Sequence, residues 1–176
     1  MQKIQCIVLG DASVGKTTFL QHATRGALPM GVKGTIGVDN ILYRSDTHTL
    51  QCWDTSGSER FIRVIPLFAR KCQVVIYMFD VSKPETLDKI EFWRSLIPET
   101  PPLSFIIPYR LDLPSRCGEF HEIKKKYPDC ILMNGNMEPK YILEEIIALF
   151  RTTVHTTKSL SVESEHNVQT CCFGIC

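Results

Sequence analysis

No stretch of this 176-residue chain approaches the roughly 20 consecutive apolar residues that a membrane-spanning helix requires. Charge of one sign is missing too: the formal net charge is +1, so no bulk field favours nucleic acid or an anionic membrane. No CxxC pair, no metal-ligand spacing of Cys and His, and no internal repeat occurs. The apolar run in MQKIQCIVLG is far shorter than the core of a secretory leader and meets a glycine at once. These absences direct attention to a local site in a cytoplasmic protein, expected as a monomer with no nucleic-acid partner.

What is present is one domain's worth of chain with 44% hydrophobic and 22% charged residues. Runs rich in Val and Ile alternate with helix-length amphipathic segments, an order that predicts an α/β fold with a mainly parallel sheet. Strands are expected at Ile4 to Leu9, at Asn40 to Tyr43 and Thr49 to Trp53 as a hairpin, and at Val74 to Phe79. Two more are expected at Leu103 to Ile107 and Cys130 to Met133. Helices are expected from Lys16 to about Thr24 and from Tyr141 to Phe150. Another, opened by a Ser82/Glu85 capping box, should carry Leu87, Ile90, Trp93 and Ile97 on one stripe and stop at Pro98, Pro101 and Pro102. From about Thr152 few aliphatic residues remain. Residues 1–150 therefore read as the domain and 151–176 as a flexible tail. Cys6, Cys52, Cys72, Cys117 and Cys130 lie in or beside apolar runs and read as small hydrophobes.

The segment Gly10 to Thr17, GDASVGKT, follows the first strand and opens the first helix. Glycines at its ends let the backbone wrap closely, so that successive N–H groups and the helix start face phosphate oxygens. Lys16 would reach the β- and γ-phosphates and the Thr17 hydroxyl would bind magnesium. Trp53-Asp54-Thr55-Ser56-Gly57, at the end of the third strand, supplies a second element: Asp54 for the metal and the Gly57 N–H for the γ-phosphate.

With these motifs, Thr35-Ile36-Gly37-Val38-Asp39, Ser58-Glu59-Arg60-Phe61 and Tyr77-Met78-Phe79-Asp80-Val81 make the chain resemble a Ras-superfamily small GTPase, and within it the Rab group, from about Lys3 to Phe150. The resemblance implies a P-loop GTPase G domain: a six-stranded, mostly parallel sheet with one antiparallel strand, flanked by about five helices. It implies GTP or GDP with Mg2+ as ligands, and switches ordered by the γ-phosphate in the service of vesicle and membrane trafficking. The nucleotide set implied is Gly10, Asp11, Ala12, Ser13, Val14, Gly15, Lys16, Thr17 and Thr18 of the loop, then Leu28, Thr35 and Gly57. Its base-binding members are Tyr109, Arg110, Asp112, Asn134, Gly135 and Asn136. The metal set is Thr17, Thr35 and Asp54, and the catalytic set Lys16, Thr35, Gly57 and Ser58. Exchange factors, activating proteins and effectors would use the switch face, at Ile36, Asn40, Trp53 and Phe68.

Several positions depart from the family pattern. Tyr109-Arg110-Leu111-Asp112 stands where the family writes Asn-Lys-x-Asp, so Asp112 alone is left to pair with the guanine edge. Leu28 replaces the aromatic that covers the base, and Ser58 replaces the glutamine that orients the attacking water. Asn40 replaces the first of three effector-facing aromatics. Poorer guanine discrimination and slow hydrolysis are expected, and a pseudo-GTPase interaction module stays open as an alternative. A small-molecule P-loop kinase would need an arginine-rich lid, which is lacking. Cys171, Cys172 and Cys176 resemble a prenylation tail without a CaaX order; two lipids there would hold the protein at the cytosolic face of an intracellular membrane.

Overall fold

A computed structural model describes residues 2–31, 33–97, 103–109, 117 and 120–170, with side chains as far as Val154. Six strands form one sheet in the order β2-β3-β1-β4-β5-β6: β1 (Gln2–Leu9), β2 (Val38–Arg44), β3 (His48–Thr55), β4 (Val74–Asp80), β5 (Leu103–Tyr109) and β6 (Ile131–Leu132). Only β2 against β3 is antiparallel; every other pairing is parallel. The order reverses at β1, which lies between β3 and β4. In open α/β sheets the crevice beyond the strand ends at such a reversal is where ligands bind.

Helices cover both faces. On one side α1 (Lys16–Arg25) and α6 (Pro139–Thr170) pack Phe19, Leu20, Ile142, Leu143, Ile146 and Ile147 against Ile4, Val8 and Leu50. On the other, α2 (Ile65–Ala69), α3 (Pro84–Asp88), α4 (Ile90–Ser95) and α5 (Phe120–Lys126) cover Ile7, Leu9, Val75, Tyr77 and Phe79. All seven residues of β4 are buried, as its run without alternation requires of a strand covered on both faces. Helix α1 stops at Gly26, whose left-handed φ of 71° lets its N–H return to the His22 carbonyl.

Three local expectations change. The Ser82/Glu85 capping box does not form: the Ser82 hydroxyl donates to Asp80 Oδ1 at 2.6 Å, and α3 opens at Pro84 without a side-chain cap. Thr86 fastens this corner instead, accepting from the Asp80 N–H and donating to the Lys83 carbonyl. The single helix expected there is interrupted at Lys89 into α3 and α4, although Leu87, Ile90 and Trp93 still face the core. Finally, α6 runs on to Thr170, through residues expected to form a tail without order. No Gly or Pro between 152 and 170 stops it, and the segment extends a helix already nucleated by the packed turns around Ile142, Leu143, Ile146 and Ile147. The prolines at 98, 101 and 102 lie outside the described residues.

The five cysteines among the described residues are free: Cys6, Cys52, Cys72 and Cys130 are buried, and Cys117 is half-buried. Burial pushes the Cys72 thiol up to about 12 and that of Cys130 to about 11, so both stay protonated and unreactive near neutrality.

Candidate nucleotide and metal site

The loop between β1 and α1 turns tightly because three of its residues take positive φ: Gly10 at 145°, Ser13 at 64° and Gly15 at 99°. Gly10 is required for a further reason, since a Cβ there would sit 2.2 Å from the Met78 carbonyl oxygen. Lys16 is buried, and its ammonium donates to the carbonyls of Gly10 (2.8 Å) and Asp11 (2.7 Å). Burial lowers its pKa to about 8, while Asp54 and Asp11 pull it upward. Asp11 is held in turn by α4, where the Trp93 indole N–H donates to Oδ1 (3.1 Å), and by Lys89, whose ammonium pairs with Oδ2 (3.0 Å).

Thr17, Thr35 and Asp54 meet beside this lysine. The Thr17 hydroxyl donates to Asp54 Oδ2 at 2.6 Å, the Thr35 hydroxyl reaches the same oxygen at 3.0 Å, and the two hydroxyls lie 2.8 Å apart. Asp54 is wholly buried and its Oδ1 has no partner. Burial pushes its carboxyl above the usual carboxylate range, against the pull of the two hydroxyls and Lys16. No cluster of three His, Cys, Asp or Glu occurs among the described residues, so a thiolate or imidazole metal centre is not what is built. One buried carboxylate with two hydroxyls suits a hard cation that keeps waters and shares phosphate oxygens, as Mg2+ does. These three residues fit the ion and would hold it, and the ion would supply charge neutralisation for a polyphosphate.

The segments that carry Thr35 and Asp54 are stitched together. The Ser56 N–H donates to the Gly37 carbonyl at 3.0 Å, and the Phe61 ring packs beside Gly37. Gly57 lies directly on the loop: a Cβ there would fall 2.5 Å from both the Gly10 oxygen and the Lys16 nitrogen. A cavity of about 520 Å3 covers the loop, lined by Ser13, Lys16, Thr17, Thr35, Ser56 and Ser58 among others.

A second cavity, of about 690 Å3, adjoins the first through Gly15 and Thr18. Its walls include Phe19, His22, Leu28, Tyr109, Gly135 and Asn136. This is where the base-recognition positions lead. Tyr109 spends its ring on Gly15: a Cβ on that glycine would be 2.4 Å from Cδ1 and Cε1. The same ring meets Phe19 edge-on, at 6.1 Å and 87°. Leu28 is 64% exposed at the rim. Asn134 closes a turn, its Oδ1 accepting the Asn136 N–H, and so leaves Gly135 facing the cavity. Arg110 and Asp112 lie outside the described residues, as do Cys171, Cys172 and Cys176.

The model of the Ras family matches residues 5–117, about two-thirds of the chain, spanning the loop, both switch segments and the strand that ends in Tyr109. The chain belongs to the Ras family. Among curated members it is similar to the Ras-related protein Rab-12 of Mus musculus, 33% identical over 99 residues that cover 54% of this chain and 41% of the relative. It is 37% identical over 91 residues to Rab-7B of Dictyostelium discoideum, covering 52% and 46%. To Rab-44 of Mus musculus it is also 37% identical over 91 residues, covering 49% and 9%. The chain thus spans less than half the length of these relatives.

Of the expected effector positions, Trp53 lies against Phe68 and beside Asn40. The Trp53 and Phe68 rings meet at a tilt of 53° with centroids 4.8 Å apart, Asn40 pairs with Trp53 across β2 and β3, and Ile36 is 88% exposed. Sequence reasoning missed five features of the site: the Tyr109 ring on Gly15, the Trp93 and Lys89 hold on Asp11, and the presence of Lys33 and Arg60 at the phosphate cavity. No helix among the described residues is long and apolar enough to cross a membrane.

Proposed function

We propose that this Ras-family chain is a Rab-like molecular switch that binds GTP or GDP with Mg2+, hydrolyses GTP slowly, and acts in membrane trafficking. The observation that carries the reading is the convergence of Thr17, Thr35 and Asp54 beside the Lys16 ammonium, with Asp54 Oδ1 left unpartnered. Two of these residues come from segments that the γ-phosphate orders in such switches. Slow turnover follows from Ser58, which lines the phosphate cavity but has one carbon with which to reach a water. Lys16 and the loop amides still stabilise charge, so turnover is reduced and not abolished.

A second reading, a pseudo-GTPase with weak guanine recognition, is favoured by one feature. Tyr109 stands where the family's asparagine amide pairs with guanine and packs its ring on Gly15, and the exposed Leu28 offers no aromatic cover. Titrating fluorescent GDP and ADP against the purified chain, followed by single-turnover hydrolysis of bound GTP, separates the two. GDP preference with slow cleavage supports the switch; no cleavage with little discrimination between the bases, or no nucleotide binding at all, refutes the switch and supports the module. The remaining parts of the proposal are a domain over 1–150, regulators and effectors on the Ile36, Trp53 and Phe68 face, and lipids on Cys171, Cys172 or Cys176. These lipids would place the protein on the cytosolic face of an internal membrane; mass spectrometry of the chain isolated from cells tests that part.

A further inference from the structure

The walls of the phosphate cavity include three cations, Lys16, Lys33 and Arg60, and no carboxylate. Only Lys16 belongs to the loop motif. Lys33 precedes Thr35 by two residues, and Arg60 lies in the 3-10 turn Glu59–Val64, two residues after Ser58. Among the described residues neither forms an ion pair. Glu59, next to Arg60, lines a different cavity together with Asp11 and Lys89, so the two neighbours diverge and Glu59 does not neutralise the arginine.

The backbone that delivers Arg60 is fixed at both ends. The Ser58 N–H donates to the Ser56 hydroxyl at 3.2 Å, and the Ser58 carbonyl accepts the Phe61 N–H at 3.0 Å. The Phe61 ring rests beside Gly37, which also accepts the Ser56 N–H. Lys33 sits on the same stitched unit, upstream of Thr35, whose hydroxyl is bound to Asp54. Both cations line the cavity over the loop in an arrangement in which the two segments are joined.

We infer that Lys33 and Arg60 form a second, intrachain set of terminal-phosphate ligands, which selects a nucleoside triphosphate over a diphosphate in this chain. The inference rests on the nucleotide-switch reading above. A guanidinium offers two parallel N–H donors to one phosphoryl group, and a lysine adds a point charge. Both groups donate hydrogen bonds and accept none, so the pair strengthens the hold on the triphosphate without the acceptor oxygen that a glutamine would offer the attacking water. The terminal phosphate, in return, would join the two segments by binding one cation from each.

The test compares wild type with Arg60→Ala, Lys33→Ala, the double variant and Arg60→Lys. Each is titrated with a non-hydrolysable GTP analogue and with GDP in Mg2+ at physiological salt, after thermal unfolding shows that the variant is folded. Each single alanine should weaken the analogue on the order of tenfold and leave GDP within about twofold, with Arg60→Lys recovering part of the loss. Equal loss for both nucleotides, or loss for neither, overturns the inference. Inorganic triphosphate and pyrophosphate, read by their shift of the unfolding midpoint, remove the base from the question. A wild-type preference for triphosphate that Arg60→Ala erases supports the assignment even if guanine binding fails, in which case only the GTPase reading falls. A wild type indifferent to the third phosphate overturns the inference.

Discussion

Lys16 is the place to perturb with pH. Its ammonium is buried on the Gly10 and Asp11 carbonyls, and its pKa is lowered to about 8 from the ordinary 10.5. Polyphosphate oxygens favour the charged form, so the pKa in the complex lies above that in the free protein. Binding accordingly takes up a proton above pH 8. Affinity is fully expressed below that value and declines as pH rises towards the pKa of the complex. With a free-protein value of about 8, roughly nine-tenths of the lysine is charged at pH 7 and roughly one-tenth at pH 9. Nucleotide affinity should therefore fall about tenfold, or about 1.4 kcal/mol, across those two units. The second ionisation of a phosphate monoester is near 6, so it is about nine-tenths complete at pH 7. Fluorescent GDP titrated from pH 6.5 to 9 measures the effect. Lys16→Arg keeps its charge throughout and serves as the control, because titration of the base appears equally in both proteins. A wild-type profile parallel to that of Lys16→Arg refutes the argument. The same shift has the opposite sign for the empty protein. Its unfolded chain binds the extra proton between about 8 and 10.5, so its stability gains from this group as pH rises through that window.

Other perturbations address the remaining parts of the site. Ser58→Gln supplies a side chain long enough to orient water at the phosphate cavity and should raise single-turnover GTP cleavage at least about tenfold; an unchanged rate counts against slow turnover by this route. Asp54→Asn removes a buried carboxylate with an unpartnered oxygen, so it should make nucleotide affinity equal in Mg2+ and EDTA without lowering the unfolding midpoint of the empty protein. Retained Mg2+ dependence speaks against Asp54 as a metal residue. Tyr109→Ala takes the ring off Gly15 and away from Phe19, and should cost about 2 kcal/mol in urea unfolding. A cost under about 0.5 kcal/mol shows that the ring carries no packing load.

The parts of the molecule legible in its sequence are those set by neighbouring residues. Gly10 and Gly15 announce a loop that only they can shape, and β4 announces burial by its lack of alternation. The capping box failed although its spacing was right, because the Ser82 N–H that Glu85 would have capped donates to Asp80 Oδ1 at 2.9 Å, and the helix opens at Pro84, after Lys83. The break at Lys89 was hidden because the apolar stripe continues across it. The contacts missed in the site are long-range: Trp93 reaches Asp11 across 82 residues, and Tyr109 meets Gly15 from the end of β5. Periodicity reports which face of an element is buried, not what it touches. Read by its position, Tyr109 marked only the loss of an amide. Its packing role follows from where the sheet delivers it.

The ring on Gly15 has a consequence for the time course of binding. A loop held in shape by the end of a strand does not wait for a ligand to order it. On the nucleotide-switch proposal, such a loop should leave encounter to set the association rate, with little loop entropy to lose on capture and the same loop form before and after release.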